Sequence, residues 1–373
     1  MKEDVLTKFA SDVAFPYIDE VLVKTALDFY QQKDDKLKEF LDVLKRVFVS
    51  AKEFAANTDQ EVAYISFAIL RTNILYGKYI YDVHVYNKNW YFNDYVKIDE
   101  MDVIDFFRPL DMAKTYLLSE SKKFVGKINA SDIDNIISEY LHPFTQLFIK
   151  MFRYVLLDVT ECSEYVEIPK ADVFRIYVGE LYEAHYVLFE EVKERLSFEQ
   201  LAERLKYGEL CQNLDMKNSN FQDISITNAD LQYSDFRGSS LKRIDFSNSL
   251  LEGCLFVDCN LAEANFNGAR LSEANFQNAD LRRSDLAEVV SVEGIFDNKD
   301  WDSFYKLPLI LNGANMCEAV IKNAILHGVD FTQAKLNGAN FMGSDLLHCK
   351  FKKEQLLNIE LTEKQRSQII LEE

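Results

Sequence analysis

Residues 261–286 read LAEANFNGARLSEANFQNADLRRSDL, and an apolar residue returns at every fifth position: Leu261, Phe266, Leu271, Phe276, Leu281 and Leu286. Two places before each stands a small residue: Cys259, Ala264, Ala269, Ala274, Ala279 and Ser284. A helix repeats near 3.6 residues and a strand at 2, so a beat of five belongs to neither alone. Repetition of so short a unit predicts a solenoid, in which each rung covers its neighbour and supplies its core.

The beat runs upstream through Phe256, Leu251, Phe246, Leu241, Phe236, Leu231, Ile226 and Phe221 to Met216. Downstream it breaks at 287–309 and resumes in phase from Leu311 through Met316, Ile321, Leu326, Phe331, Leu336, Phe341 and Leu346 to Phe351. Units such as ANF at 264–266 and 274–276, ADL at 229–231 and 279–281, GANF at 338–341 and GSDL at 343–346 resemble the pentapeptide-repeat family, whose pattern is A(D/N)LXX. The resemblance implies a right-handed quadrilateral parallel β-helix, four pentapeptides to a coil, with the large and the small residue both pointing inward. A coil of 20 residues would then stack Phe236, Phe256 and Phe276 in one column and Phe246 with Phe266 in the column facing it, leaving leucines to the other two sides.

The remaining positions of each unit follow from this. Asp or Asn before the central residue, as at Asp230, Asp245, Asn265 and Asp285, is expected to hydrogen-bond the turn at each corner, which is why these two residues dominate turns. Cys254, Cys259 and Cys349 occupy the small inward slot and read as packing. Outward, Lys242, Arg243, Arg282 and Arg283 fall on one face of the coil, and Glu252 and Glu273 on an adjacent stretch. That placement predicts one basic and one acidic edge, the arrangement of a docking surface. The interruption carries Trp301, Phe304 and Tyr305 among acids, an aromatic set of the kind that anchors interfaces.

Outside the repeats the text changes. We divide the chain at 1–208, an α-helical N-terminal domain, 209–352, the repeat with its inserted loop at 287–309, and 353–373, a short C-terminal helical cap. Three apolar stripes at three- and four-residue steps predict helices: Leu37 to Phe54, Ile133 to Val155 and Phe174 to Leu196. Pro143 is expected to kink or split the second. Tyr79–Tyr86, the polar Asn87–Asn89 and Trp90–Phe92 read as a small β-hairpin. In the tail, Thr362 to Gln365 opens like a helix cap, expected to close the end of the coil.

Composition bounds the function. The chain has 373 residues, 61 acidic against 42 basic side chains and a formal net charge of −19, which repels phosphate and disfavours direct nucleic-acid binding. No apolar run long enough to span a membrane appears, and the first residues lack a secretory pattern. Six cysteines without a CxxC pair fit a reducing, cytoplasmic setting better than a disulfide scaffold or a zinc finger. His84, His142, His185, His327 and His348 are scattered, with His185 on a helix stripe. No phosphate loop, dinucleotide glycine pattern or nucleophile elbow occurs, so neither metal, cofactor nor catalytic residues are expected. What remains is a non-catalytic protein–protein interaction protein built on a repeat rod. The resemblance adds an alternative, since some members of the family imitate duplex DNA and bind DNA gyrase or topoisomerase IV, conferring antibiotic or toxin resistance. It also admits a homodimer through the C-terminal helices.

Overall fold

The computed structural model describes the chain apart from residues 1, 32, 90–95, 160–161, 181–184, 195, 210, 293, 296–304 and 373. It resolves into two compact units, one built on Met1–Lys193 and one on Glu194–Ile295 with Lys306–Glu373.

The first unit opens with α1 (Lys2–Phe9), a π-helical turn at Ala10–Ala14, α2 (Phe15–Gln31) and α3 (Lys33–Thr58). Pro16 has no N–H to return to the preceding turn, and the widened π turn sits just before it. Then come β1 (Val62–Ile69), α4 (Arg71–Leu75), β2 (Ile80–Tyr86), β3 (Val96–Asp102), α5 (Ile104–Ser121), α6 (Ala130–Val159), α7 (Ser163–Val166), β4 (Lys170–Glu180) and β5 (His185–Val192). The strands form one sheet in the order β3-β2-β1-β4-β5. Only β1 and β4 run parallel, and α5 and α6 lie in the long crossover that a parallel pair requires. Phe67 of β1 and Tyr81 of β2 turn onto α6, their rings 4.8 Å from Phe152 and 5.1 Å from Phe148.

Two expectations change here, and a third is narrowed. The third apolar stripe is not a helix: Phe174, Ile176 and Val178 alternate inward along β4, and His185 lies on β5. The unit is therefore mixed α/β rather than α-helical with a small hairpin. β2 pairs with β1 on one side and on the other with Val96–Asp102, while Trp90–Phe92 lie outside the described residues. Pro143 sits inside α6 and does not divide it.

The second unit begins with α8 (Phe198–Lys206), opened by a capping box between Ser197 and Gln200. Leu201 of α8 is fully buried in the same core as the repeats, and Phe198 meets Phe221 edge-on at 6.3 Å. Beyond it, isolated parallel bridges join residues 20 apart, from Asp215↔Asp235 and Asn220↔Ser240 to Arg270↔Val290. Across the interruption the offset becomes 35, as in Asn275↔Ile310 and Asp285↔Val320, and returns to 20 at Asn315↔Lys335. The coil still holds at β6 (Val290–Ser291), which pairs with β9 (Ile325–Leu326). The inserted chain leaves and returns through the paired β7 (Gly294–Ile295) and β8 (Tyr305–Lys306). After β10 (Lys350–Lys352) follow a 3-10 turn at Lys353–Leu357, α9 (Glu363–Gln368) and β11 (Ile370–Glu372), which pairs parallel with β10.

The inward columns follow from this register. Phe256 stacks between Phe236 and Phe276 at 5.2 and 4.8 Å, and Phe331 on Phe351 at 4.8 Å. Phe246 and Phe266 stand across the bore, 5.8 and 5.6 Å from Phe236 and Phe276 in edge contacts, the geometry that aromatic quadrupoles prefer.

Candidate interaction surface

Most units of five close their corner in the same way. The amide two places after the turn's second residue closes the corner, as Ser234 N–H donates to Leu231 C=O at 3.1 Å while Tyr233 holds φ +61. Where a slot serine stands one coil on, as at Ser239, Ser249 and Ser344, the slot N–H donates to that hydroxyl instead. A positive φ at the third residue of such a turn makes it type II. The residue before the centre bonds that corner: Asp230, Asp245, Asn265 and Asp285 accept from the backbone N–H of Gln232, Ser247, Asn267 and Ala287 at 2.9–3.3 Å. In the small slot, Ser239 donates to Met216 C=O at 2.9 Å and accepts from Ser219 N–H at 3.0 Å. Cysteine makes the same link, with Cys254, Cys259 and Cys349 donating to Leu231, Phe236 and Leu326 C=O at 3.0, 2.9 and 3.0 Å. Burial pushes the Cys259 thiol up to about 12 and raises that of Cys254 further. These thiols are buried and engaged between coils.

Surface chemistry is thus left to the corners. Asp223, Arg243, Glu263, Arg283 and Glu318 occupy equivalent corner sites of successive coils, all at positive φ. Their signs alternate, and they pair along the coil: Arg243 with Asp223 at 2.7 Å, Lys242 with Glu263 at 3.4 Å, Arg283 with Glu318 at 2.8 Å. Arg282 instead turns back on Asp280 at 2.6 Å. The hydrogen bonds from these arginines hold the carboxyls of Asp223, Asp280 and Glu318 below the ordinary range. The four predicted basic residues therefore form no basic edge, because an acid stands one coil away, or two residues away, from each.

The predicted acidic stretch is likewise occupied. Glu252 accepts from Arg270 at 3.1 Å and from Lys306, whose side chain is only 6% exposed. Glu273 is buried at a corner with φ +66, its N–H donating to Leu307 C=O at 2.9 Å. Both acids flank the base of the insertion, where Ser291 Oγ accepts from Leu309 N–H at 2.9 Å. Trp301 and Phe304 lie outside the described residues, and Tyr305 supplies backbone to β8. The sequence reading missed Asp223, Arg270, Lys306 and Glu318. Counting back 20 residues from Arg243 would have found the first, whereas Lys306 and Glu318 require the 35-residue offset.

The residues that keep the five-residue beat are matched by the family model described as pentapeptide repeats, in 8 copies over residues 211–243, 239–278, 249–287, 310–338 and 324–353. The repeat segment belongs to the pentapeptide-repeat family. Its members fold as right-handed β-helices. Solved structures similar to the pentapeptide-repeat segment include QnrB1, a plasmid-mediated fluoroquinolone resistance protein, at 18% identity over 41% of this chain and 89% of that one, TM-score 0.24. Another is the pentapeptide repeat protein Rfr23 from the cyanobacterium Cyanothece 51142, at 17% identity over 40% and 95%, TM-score 0.21. HetL from Nostoc, involved in heterocyst differentiation regulation, matches at 18% over 42% and 84%, TM-score 0.15. No curated protein matches the chain. Among the described residues, no group of three or more His, Cys, Asp or Glu could hold a metal ion, and no helix is long and apolar enough to cross a membrane.

Proposed function

We propose that this chain is a non-catalytic, cytoplasmic protein–protein interaction protein: a quadrilateral pentapeptide-repeat rod, capped by the short helices of its tail, that presents fixed surface groups to a protein partner. The observation that carries this reading is the internal use of backbone and inward polar groups among the described residues of the coil. Slot serines and cysteines and pre-centre Asp and Asn bond within the coil and centre side chains are buried, which leaves the corners and the insertion to carry surface groups. A rigid scaffold with variable protrusions is how recognition surfaces are built. On this reading the contact residues are drawn from Lys242, Arg243, Arg282, Arg283, Glu252 and Glu273, with Trp301, Phe304 and Tyr305 of the insertion.

The alternative, imitation of DNA toward gyrase or topoisomerase IV, asks for a continuous anionic face. The corner column through Arg243 alternates in sign, which favours the general reading.

The test is affinity capture with the full chain, with a form lacking Gly294–Pro308, and with Arg282 and Arg283 reversed to Glu. The expected result is one protein partner that is lost with the insertion or with the reversed corner. Identical capture by all three and by an unrelated pentapeptide-repeat rod would overturn the reading. Binding to gyrase that DNA competes away and high salt abolishes would put the alternative in its place.

A further inference from the structure

The coil ends by a device that no helix-cap pattern describes. In every regular coil the N–H of one residue reaches the carbonyl 21 places earlier: Lys335 to Ala314, Asp345 to Ala324 and Lys350 to Val329, each at 2.9 Å. The slot side chain reaches 23 places back, as Ser249 Oγ does to Ile226 C=O at 3.1 Å and Cys349 Sγ to Leu326 C=O at 3.0 Å. After Lys352 the chain leaves this path, yet the same carbonyls stay bonded. Gln355 Nε2 donates to Ala334 C=O and to Phe331 C=O, both at 2.8 Å. Ten residues later, half a coil on, Gln365 Nε2 donates to Ser344 C=O at 3.0 Å and to Phe341 C=O at 2.7 Å.

The correspondence is by residue number. Positions 355 and 365 lie 21 beyond Ala334 and Ser344, where a continuing coil would offer its backbone N–H, and the side-chain amide stands in for it. The second proton of each amide serves Phe331 or Phe341, which in earlier coils a slot hydroxyl or thiol would serve. Each glutamine's Oε1 meanwhile accepts the N–H that opens its own turn, Lys352 at 2.8 Å and Thr362 at 3.0 Å. A glutamine at the third position of a capping box has the reach and the donor count for both tasks. Gln365 is 3% exposed. At Cys349 no substitute is needed, because Ile370 of β11 supplies its backbone N–H at 2.8 Å.

We propose that Gln355 and Gln365 are the termination residues of the solenoid: their side-chain amides replace the backbone donors of a next coil, and so close the terminal carbonyls against strand addition by a second copy. Open strand edges invite such pairing, and proteins block them by covering or occupying the groups. Without the glutamines, Ala334 and Ser344 C=O would lose this donor while Phe331 and Phe341 C=O kept only the corner N–H of Ala334 and Ser344, which would make the end both less stable and adhesive.

The test begins with the unaltered chain. With 15N-glutamine, the side-chain NH2 signals of Gln355 and Gln365 should exchange with solvent far more slowly than those of exposed glutamines such as Gln222; equally fast exchange overturns the proposal. Single Gln355→Glu and Gln365→Glu variants then keep the Oε1 acceptor and lose both donors, each leaving the other staple in place. Amide exchange should rise in residues 331–372 and stay unchanged in 211–250, and the double variant should show concentration-dependent association in sedimentation velocity. Unchanged protection of 331–372, or a double variant that loses protection there while staying monomeric at every concentration, would sink the assignment of a blocking role.

Discussion

Corner residues carry the conformational strain of this fold, and they bear it in two ways. Where glycine takes the corner it lies beneath a side chain of the preceding coil. A Cβ built on Gly253, at φ +69, would fall 2.3 Å from the Tyr233 ring, whereas on Gly338, at φ +73, the nearest atom is Glu318 Cγ at 3.5 Å. Both substitutions to Ala incur the left-handed penalty of about 1–2 kcal/mol. Gly253→Ala must also displace a ring, which adds about 1–3 kcal/mol of overpacking. Denaturant titration should therefore rank Gly253→Ala clearly below Gly338→Ala, and equal losses would show that Tyr233 yields freely. The slot cysteines give a second prediction, in pH. An unfolded thiol ionises near its ordinary value of 9.0, while in the folded chain Cys259 keeps its proton to about 12 and Cys254 beyond that, through burial. Above pH 9 the folded state thus binds more protons than the unfolded one, and stability falls as pH rises. Serine retains the bond to the preceding coil without ionising. Replacing both cysteines by serine should lessen the loss in urea midpoint between roughly pH 7 and pH 10 relative to the unaltered chain.

Elements tie these residues into columns, and the column through Asp223, Arg243, Glu263, Arg283 and Glu318 is held by alternation. Long charged side chains at positive φ are poor choices for a turn, and here they make contacts along the column. Arg243→Glu would place three carboxylates in a row on rungs about 4.8 Å apart. The melting temperature should fall, and added salt should recover part of the difference by screening; a salt-independent loss would mean that backbone strain, not charge, is responsible. The elements also show what could be read beforehand. The repeat was legible because a five-residue beat has one structural answer, and the aromatic columns followed from it by counting. The stripe from Phe174 to Leu196 was not, because two signals overlap there. Phe174, Ile176 and Val178 alternate as a strand does, but a bulge in the β4–β5 pairing between Ile176 and Tyr177 shifts the register, so Leu188 and Phe189 are both buried and break the alternation. The surviving spacing imitates a helix. Surface pairing was equally hidden, since Lys306 reaches Glu252 only through an insertion whose effect on register the sequence does not announce.

At the scale of the whole molecule, that insertion is phase-neutral. Bridges 20 residues apart before it become 35 apart across it, a surplus of fifteen residues or three repeat units, and every inward column continues on the far side. Joining Glu293 directly to Leu309 by removing Gly294–Pro308 would give Ser291 at a centre, Val292 and Glu293 at the corner, Leu309 in the slot it already fills and Leu311 at the next centre. Glutamate is tolerated at that corner, as at Glu263, Glu288 and Glu318. Glu252 would lose Lys306 but keep Arg270. Removing one residue fewer, 294–307, would bring Ile310 to the centre and turn each downstream leucine and phenylalanine outward, as a register slip does in any sheet with one buried face. The fifteen-residue deletion should unfold cooperatively with a melting temperature within several degrees of the full chain, a difference of about 1 kcal/mol. The fourteen-residue deletion should lose amide protection from 309 onward while keeping it in 211–290. If the two deletions behave alike, the repeat does not run as one coil through the interruption, and the segments on either side are separate rods.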